Sequence, residues 1–125
     1  MGVRRACANE GVKLSQKMLA DLFEQYIGTE LVYHRYLSSP HIKIKYWRDS
    51  AGPEVDYVLE RAQEFIPIEI KWSDKPNQSD AKHLKKFMAE YPTKQAFIIC
   101  RTPQRYKITS HIIALPWQEV SSIFQ

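Results

Sequence analysis

The sequence predicts a single α/β domain in which helices flank a mixed central β-sheet. Apolar residues between positions 15 and 37 recur every three or four residues, which is typical of an amphipathic helix. Three segments with the character of strands follow, and a continuous apolar run at residues 96–100 comes after a second helical pattern. A chain of 125 residues is long enough for one hydrophobic core, so we predict one domain over residues 1–125.

The first helix is predicted over residues 15–37 and ends where a serine-serine-proline segment begins, because proline cannot continue a helix. Residues 1–12, before it, show no clear period. A half-buried strand is predicted after the helix, from an alternating pattern. The alternating residues are Ile42, Ile44 and Tyr46 on one face and Lys43, Lys45 and Trp47 on the other. A turn rich in glycine and proline then leads into a hairpin.

In the second half, a helix is predicted to begin at Ser79 or Asp80, since either side chain can cap it. The continuous apolar run at residues 96–100 is typical of a strand that is covered on both faces. Residues 108–115 are predicted as an edge strand, and Pro116 as the start of a short terminal helix.

Two neighbouring strands of the predicted hairpin carry the residues that point to a function. In the run 66–72, alternation places Glu69 and Lys71 on one face, while the apolar residues take the other, buried face. The preceding strand, at residues 55–59, carries Asp56. Two carboxylates and a lysine at one end of a sheet are the groups needed to hold a divalent cation against a phosphodiester.

The length of the hairpin loop decides whether the two acids meet. A loop at residues 62–63, or a longer one at residues 61–64, places Asp56 opposite Glu69, with Cβ atoms roughly 4.5–5.5 Å apart. A loop with an odd number of residues would place the acids on opposite faces of the sheet. Two adjacent carboxylates are costly unless a cation lies between them or one is protonated. The alternative for Glu69 and Lys71 is an exposed sheet face with complementary charges.

Glu24 is a third acid of interest, because it shares a face of the first helix with small and apolar residues. A carboxylate inside such a stripe is expensive to bury without a partner. Three interpretations are open: Glu24 belongs to the site, it lies at a solvated edge of the stripe, or it pairs with an arginine such as Arg48.

The chain has a formal net charge of +4, which is concentrated in one segment. Residues 71–107 carry nine Lys and Arg against three Asp and Glu, whereas residues 1–70 carry nine against ten. A basic segment that begins at the candidate site suits a polyanionic partner such as nucleic acid. The alternative is that Lys82, Lys85 and Lys86 only solvate the outer face of a helix.

Composition favours a cytoplasmic protein. No apolar run approaches the roughly 20 residues of a membrane span, and we expect no secretory signal. Cys7 and Cys100 have no Cys or His at zinc-ligand spacing and are predicted to be reduced thiols.

Four segments form an ordered set of motifs along the chain. They are Phe23-Glu24-x-x-Ile27, Tyr46-Trp47-Arg48, Glu54-Val55-Asp56-Tyr57-Val58-Leu59 and Pro67-Ile68-Glu69-Ile70-Lys71. A helix with Glu, followed by a hairpin with Asp and then Glu-x-Lys, is similar to the PD-(D/E)XK nuclease superfamily. The full set more closely resembles the C-terminal domain of uncharacterised prokaryotic P-loop ATPases of the archaeal-ATPase-like group. The resemblance covers nearly the whole chain.

The sequence departs from these families in two respects. The first acid of the superfamily often follows a proline directly, whereas Pro53 is separated from Asp56 by two residues. The phosphate-binding loop Gly-x-x-x-x-Gly-Lys-Ser/Thr is absent from the 125 residues, so ATP hydrolysis would require a further domain or another chain. The chain therefore resembles a fragment or a truncated relative of such an ATPase.

The resemblance implies a restriction-endonuclease-like αβββαβ core and a Mg²⁺-dependent (or Mn²⁺-dependent) nuclease. The implied ligands are the carboxylates of Asp56 and Glu69 and the backbone carbonyl of Ile70, with several waters completing the coordination. Lys71 would orient the attacking water or stabilise the transition state. Glu24 would hold a second ion or an outer-shell water.

The predicted substrate is nucleic acid, with DNA preferred, and the predicted partner is an ATPase domain or chain. The residues expected to contact nucleic acid are Arg48, Ser73, Lys75 and Lys82. Two other interpretations are open. The domain could be an inactive accessory module that docks an ATPase to DNA or to another protein, or it could be a non-functional relic. The sequence leaves the oligomeric state open.

Overall fold

The computed structural model describes residues 15–125 and contains a six-stranded mixed sheet with helices on both faces. The elements are α1 (Gln16–Ser38), β1 (Lys43–Arg48), β2 (Glu54–Arg61), β3 (Glu64–Ile70), a 3-10 turn (Gln78–Ala81), α2 (Lys82–Glu90), β4 (Ala96–Cys100), β5 (Tyr106–Lys107), β6 (Ile112–Pro116) and a terminal 3-10 segment (Trp117–Phe124). The predicted α/β class and mixed sheet are confirmed. The segment 1–12 and Cys7, discussed above, lie outside the described residues.

The strand order in the sheet is β1-β2-β3-β4-β6-β5. The pairs β3–β4 and β4–β6 are parallel, and the other three pairs are antiparallel. The carboxyl-terminal ends of the parallel strands β3, β4 and β6 therefore lie side by side, and this row of strand ends is the edge referred to below. In the part of the chain that the structure describes, no helix has both the length and the apolar character needed to cross a membrane.

Helix α1 forms where the sequence predicted it and covers one face of the sheet. Ser15 caps the helix, since its side chain accepts the N–H of Met18 at 3.1 Å. The helix buries Phe23, Ile27 and Leu31 against β3, β4 and the terminal segment. Helix α1 therefore packs on the sheet through its apolar stripe, the helix face to which Glu24 was assigned from the sequence.

Strand β4 is buried along its whole length, as its continuous apolar run predicted. Phe97 and Ile99 pack in the cluster that contains α1, while Ile98 and Cys100 pack in the cluster that contains α2. The thiol of Cys100 is free, in agreement with the prediction.

The hairpin between β2 and β3 has a two-residue loop, Ala62 and Gln63, so the loop is of even length as the predicted register required. Both loop residues have positive φ, 51° and 69°, which matches a type I′ turn. The pairing runs from Arg61 opposite Glu64 to Tyr57 opposite Ile68.

Strand β2 contains a bulge that the sequence did not reveal. Lys45 pairs with Val58 but Trp47 pairs with Val55, so two residues of β2 lie opposite one residue of β1. The two residues of the bulge are Asp56 and Tyr57. Because of this extra residue, both valines pack in the same cluster, with α2.

The edge strand β1 departs from the simple alternation that was predicted. Tyr46, placed with Ile42 and Ile44 on one face, is 78% exposed, since β1 is at the edge of the sheet. Trp47 packs edge-on against Phe87 of α2, with ring centroids 5.5 Å apart. The second face of β1 is therefore partly buried as well.

Two predictions in the second half were wrong. Asn77, rather than Ser79 or Asp80, caps the second helical segment, because its side chain and that of Asp80 form a reciprocal capping box. Residues 108–115 are not one edge strand. The N–H of Ile108 donates to the carbonyl of Ile112 at 2.8 Å and closes a turn, after which β6 enters the sheet interior and leaves β5 at the edge.

We predict that replacing the loop with Asn-Gly will stabilise the protein. A left-handed backbone costs about 1–2 kcal/mol for an ordinary residue, and glycine relieves this at a smaller entropic cost. The double substitution Ala62→Asn with Gln63→Gly should raise the free energy of unfolding by about 1 kcal/mol, measured by urea denaturation. Ala51→Gly is the control. Ala51 lies in a turn but does not have a positive φ, so glycine there should lower the free energy of unfolding. A loss of stability in the loop variant would contradict the assigned turn.

Candidate active site

Asp56 and Glu69 meet in a crevice where β2 and β3 diverge. The last pair of the antiparallel ladder is Tyr57 opposite Ile68. One step beyond it, the N–H of Asp56 donates to Glu69 Oε1 at 3.2 Å, and the N–H of Ile70 donates to Asp56 Oδ2 at 2.8 Å. Each carboxylate thus accepts a backbone amide of the other strand in place of a ladder carbonyl.

The crevice forms because the pairing of β3 with β2 ends at Ile68, where its pairing with β4 on the other side begins. This residue is the last to pair with β2 and the first to pair with β4, opposite Phe97. Glu69 then pairs with Ile98, and the N–H of Lys71 donates to the carbonyl of Ile99 at 2.9 Å. Beyond Ile68, β3 stays hydrogen-bonded to β4 but separates from β2, and the two acidic side chains lie in the gap between β2 and β3.

The pair of carboxylates lies in an electrostatically unfavourable position. Glu69 is only 5% exposed, and burial, reinforced by the negative charge of Asp56, raises its pKa to about 8. The pKa of Asp56 is also raised, chiefly by burial, and the N–H of Ile70 and the charge of Lys71 oppose this shift. Burial and the neighbouring negative charge therefore favour the protonated form of Glu69 in the folded protein.

Lys71 supplies one positive charge to this site. Its Nζ lies 3.9 Å from Glu69 Oε2, and its side chain is partly exposed. The distance is long for an ion pair, and one ammonium group cannot balance two carboxylates. The ammonium is thus held beside the acids while remaining open to a ligand.

Glu24 lies at the edge of the site and not inside the crevice. It is exposed on α1 and lines a cavity of about 250 Å³ with Asp21, Gln25 and Tyr57. Partial burial, followed by the charges of Asp56 and Asp21, raises its pKa. Within residues 15–125, no three His, Cys, Asp or Glu side chains are grouped so as to hold one metal ion together.

The suggested pairing of Glu24 with Arg48 does not occur. Arg48 instead pairs with Glu54, with its Nη2 2.9 Å from the carboxylate oxygen. Ser73 and Lys75 lie together after β3, where the serine Oγ accepts the N–H of Lys75 at 3.0 Å. Lys82 is exposed at the first position of α2.

Tyr57 and Gly28 are residues of the site that sequence reasoning missed. A Cβ on Gly28 would lie 2.3 Å from the hydroxyl oxygen of Tyr57, so the tyrosine rests directly on the backbone of α1. Tyr57 and Asp56 are the two residues of the β2 bulge, so the contact of Tyr57 with Gly28 also fixes the backbone that carries the Asp56 carboxylate. The available signal was a glycine in the apolar stripe of a helix.

We predict that Gly28→Ala will destabilise the protein through Tyr57. Alanine gains about 1 kcal/mol of helix propensity over glycine, but overpacking typically costs about 1–3 kcal/mol, so a net loss is expected. Tyr57→Phe in the same chain removes the clashing oxygen and should restore part of the loss, because the next atom lies at 3.1 Å. A double-mutant cycle by chemical denaturation measures this coupling, and additive effects would contradict the contact.

We also predict that stability falls as pH rises in the absence of divalent cations. Glu69 retains its proton in the folded state up to about pH 8, whereas it ionises near 4.5 in the unfolded chain. Between these values the native state binds more protons, so the free energy of unfolding should decrease by up to about 1.4 kcal/mol per pH unit.

The variant Glu69→Gln should flatten this pH dependence, since its amide oxygen can still accept the N–H of Asp56. Glu64→Gln, at the opposite end of β3, should preserve it. Denaturation in EDTA at several pH values provides the measurement, and an equal slope in wild type and Glu69→Gln would refute the assignment.

Comparison with known proteins identifies the family but no curated relative. The family model described as "Domain of unknown function (DUF4143)" matches residues 20–120, which includes every candidate site residue. No curated protein matches the chain. Because the match to the family model covers most of the sequence, the chain belongs to the DUF4143 family.

Proposed function

We propose that this chain is a Mg²⁺-dependent nuclease-like domain with a restriction-endonuclease-like core, which hydrolyses phosphodiester bonds in DNA. We further propose that it acts in the cytoplasm with a P-loop ATPase domain or chain. The observation that carries the proposal is the pair of buried Glu69 and half-buried Asp56, with Lys71 beside it where β2 and β3 diverge. The motif order described above supports it.

The donor set fits a divalent cation. Asp56 and Glu69 each use one oxygen for a backbone amide, which leaves Oδ1 and Oε2 as hard oxygen donors. Mg²⁺ keeps several waters when it binds proteins, so two carboxylates suffice without a third acid. A doubly charged ion would also relieve the repulsion that raises the pKa of Glu69.

The residues of the chain would divide the chemistry between them. When bound, the ion supplies a water of lowered pKa and neutralises charge on the phosphate. Lys71 would donate hydrogen bonds to the attacking water or to a phosphate oxygen. Glu24, with its raised pKa at the rim, suits an outer-shell role as a proton acceptor. The amide of Ile70 orients Asp56, and its carbonyl is the proposed third ligand.

Charge and family association support the proposed partners. The segment from Lys71 to Lys107 is strongly basic, as expected for contact with a phosphate backbone. Ser73, Lys75 and Lys82 belong to this segment, whereas Arg48 is engaged with Glu54. The DUF4143 family is commonly found with ATPase-like proteins, which supports an ATPase partner.

One observation favours a second candidate function, an inactive accessory domain of such an ATPase. Asp56 and Glu69 already satisfy backbone amides of the diverging strands, so they have a structural role without any ion. In that case the domain would bind DNA or a protein partner without hydrolysis.

We predict Mg²⁺-dependent cleavage of plasmid or single-stranded DNA that depends on the lysine and the acids. Lys71→Met and Asp56→Asn should each lower the rate by at least about 100-fold, because the first removes a positive charge that stabilises the transition state and the second weakens a ligand of the ion. Lys94→Met is the matched control: Lys94 pairs with Glu64 at the opposite end of β3, 3.0 Å away, and its loss should leave cleavage unchanged.

Ion binding is measured separately as the increase in Tm on adding Mg²⁺ or Mn²⁺. The nuclease proposal expects an increase in wild type that Asp56→Asn abolishes. If wild type shows neither cleavage nor this increase, but binds DNA in EDTA with an affinity that Asp56→Asn leaves unchanged, the accessory function is correct instead.

A further inference from the structure

Arg101, the residue after β4, is held rigidly in a position where it can bind a ligand. Its guanidinium carbon lies 3.9 Å from the ring centroid of Trp72, in cation–π geometry. Its Nε donates a hydrogen bond to the backbone carbonyl of the same tryptophan. These two contacts fix the plane of the guanidinium while the side chain as a whole remains exposed.

Within the described residues, the terminal nitrogens of Arg101 have no protein acceptor. Among residues 15–125, no carboxylate forms an ion pair with it, and its one side-chain hydrogen bond is made by Nε. Arg48 and Arg105, by contrast, pair with Glu54 and Glu119 at 2.9 and 2.6 Å. A fixed guanidinium with free terminal N–H groups matches the geometry of a bidentate phosphate contact.

An aromatic pocket of about 310 Å³ adjoins this guanidinium. Its walls include Leu22, Phe23, Tyr26, Trp72, Arg101 and Trp117. Tyr26 meets Trp117 edge-on at 5.8 Å between ring centroids, and Phe23 meets Trp72 edge-on at 5.3 Å. Tyr26 is 48% exposed, so the pocket opens to solvent. Its volume lies at the lower end of the range of about 300–1,000 Å³ that is typical of small-ligand sites.

The pocket lies at the same end of the sheet as the acids. Trp72 directly follows Lys71, just beyond the end of β3. Trp72 packs against the cluster that contains Ile70 and α1, whereas the Lys71 ammonium lies beside Glu69, so the pocket lies across the chain from the ammonium. Arg101 and Trp117 directly follow β4 and β6, the other strands that end at this edge. The N–H of Arg101 donates to the carbonyl of Ser73 at 3.0 Å, which ties the two loops together.

We propose that this pocket binds an unpaired base of a nucleic-acid strand while Arg101 binds a phosphate of the same strand. Flat aromatic and guanidinium surfaces stack bases of any sequence, and a base that is paired within a duplex does not expose its faces to them. The free cation and the basic surrounding segment favour a polyanion over an apolar peptide. The inference rests on the proposed function and specifies its substrate as a strand with an unpaired nucleotide beside the scissile phosphate.

Binding without catalysis tests the proposal. In EDTA, the full chain is titrated into fluorescein-labelled oligothymidylate and into a blunt duplex of equal strand length, with anisotropy as the readout. Wild type should prefer the single strand. Arg101→Ala should weaken that binding by about tenfold or more and lower the salt slope by about 0.7. Arg101→Lys should keep the slope but still lose affinity, because the planar stack is lost. Arg61→Ala, at the hairpin, should change the affinity by less than about twofold.

Tryptophan fluorescence locates the bound base. Stacking should quench emission in wild type, and Trp117→Phe should remove much of that quenching. Trp47→Phe, on the opposite face against Phe87, should leave it intact. Circular dichroism confirms that each variant is folded.

Equal affinity for duplex and single strand, unchanged binding in Arg101→Ala, or quenching that depends on Trp47 would each overturn the proposal. A chain that binds no oligonucleotide would do so too. These outcomes are independent of cleavage, because no divalent ion is present. Failure of the nuclease proposal would appear instead as strand binding without Mg²⁺-dependent hydrolysis.

Discussion

The site depends on one constraint, namely that β3 stops pairing with β2 at Ile68 and pairs only with β4 beyond it. A strand that leaves one neighbour while keeping another exposes amides on the side it has left, and a buried amide without an acceptor costs about 1–3 kcal/mol. Here the amides of Asp56 and Ile70 find carboxylate acceptors across the gap. The same two bonds hold the diverging strands together and place two carboxyl groups in a half-buried crevice.

The surrounding architecture places complementary groups around that crevice. The bulge in β2 turns Asp56 toward β3, and the contact of Tyr57 with Gly28 fixes the bulge against α1. Parallel β3, β4 and β6 bring their following residues to one edge, which collects Lys71 and Arg101 there. A half-buried acidic pair thus lies beside exposed basic side chains. This distribution suits a cation in the crevice and a polyanion over the edge.

Sequence patterns predicted the features that depend on local chemistry. The period of α1, the continuous run of β4 and the even loop of the hairpin are all visible in neighbouring residues. Loop parity predicts the register that ends with Tyr57 opposite Ile68, one step before Asp56 and Glu69. The bulge could not be predicted, because it depends on how β1 packs against a second strand. The position of β6 inside the sheet depends equally on tertiary packing. Glu24 was ambiguous because periodicity gives a helical face and not its depth.

The chemistry of the two acids favours an ion over a purely structural role. Asparagine and glutamine could accept the same backbone N–H groups through their amide oxygens, without mutual repulsion and without the cost of burying charge. A carboxylate accepts these bonds more strongly than an amide oxygen does, but the gain does not offset the burial and repulsion that raise the pKa of Glu69 to about 8. Lys71 is too distant and too exposed to compensate both charges. The divalent cation that we propose would remove this penalty, because its positive charge would offset the charges of both carboxylates.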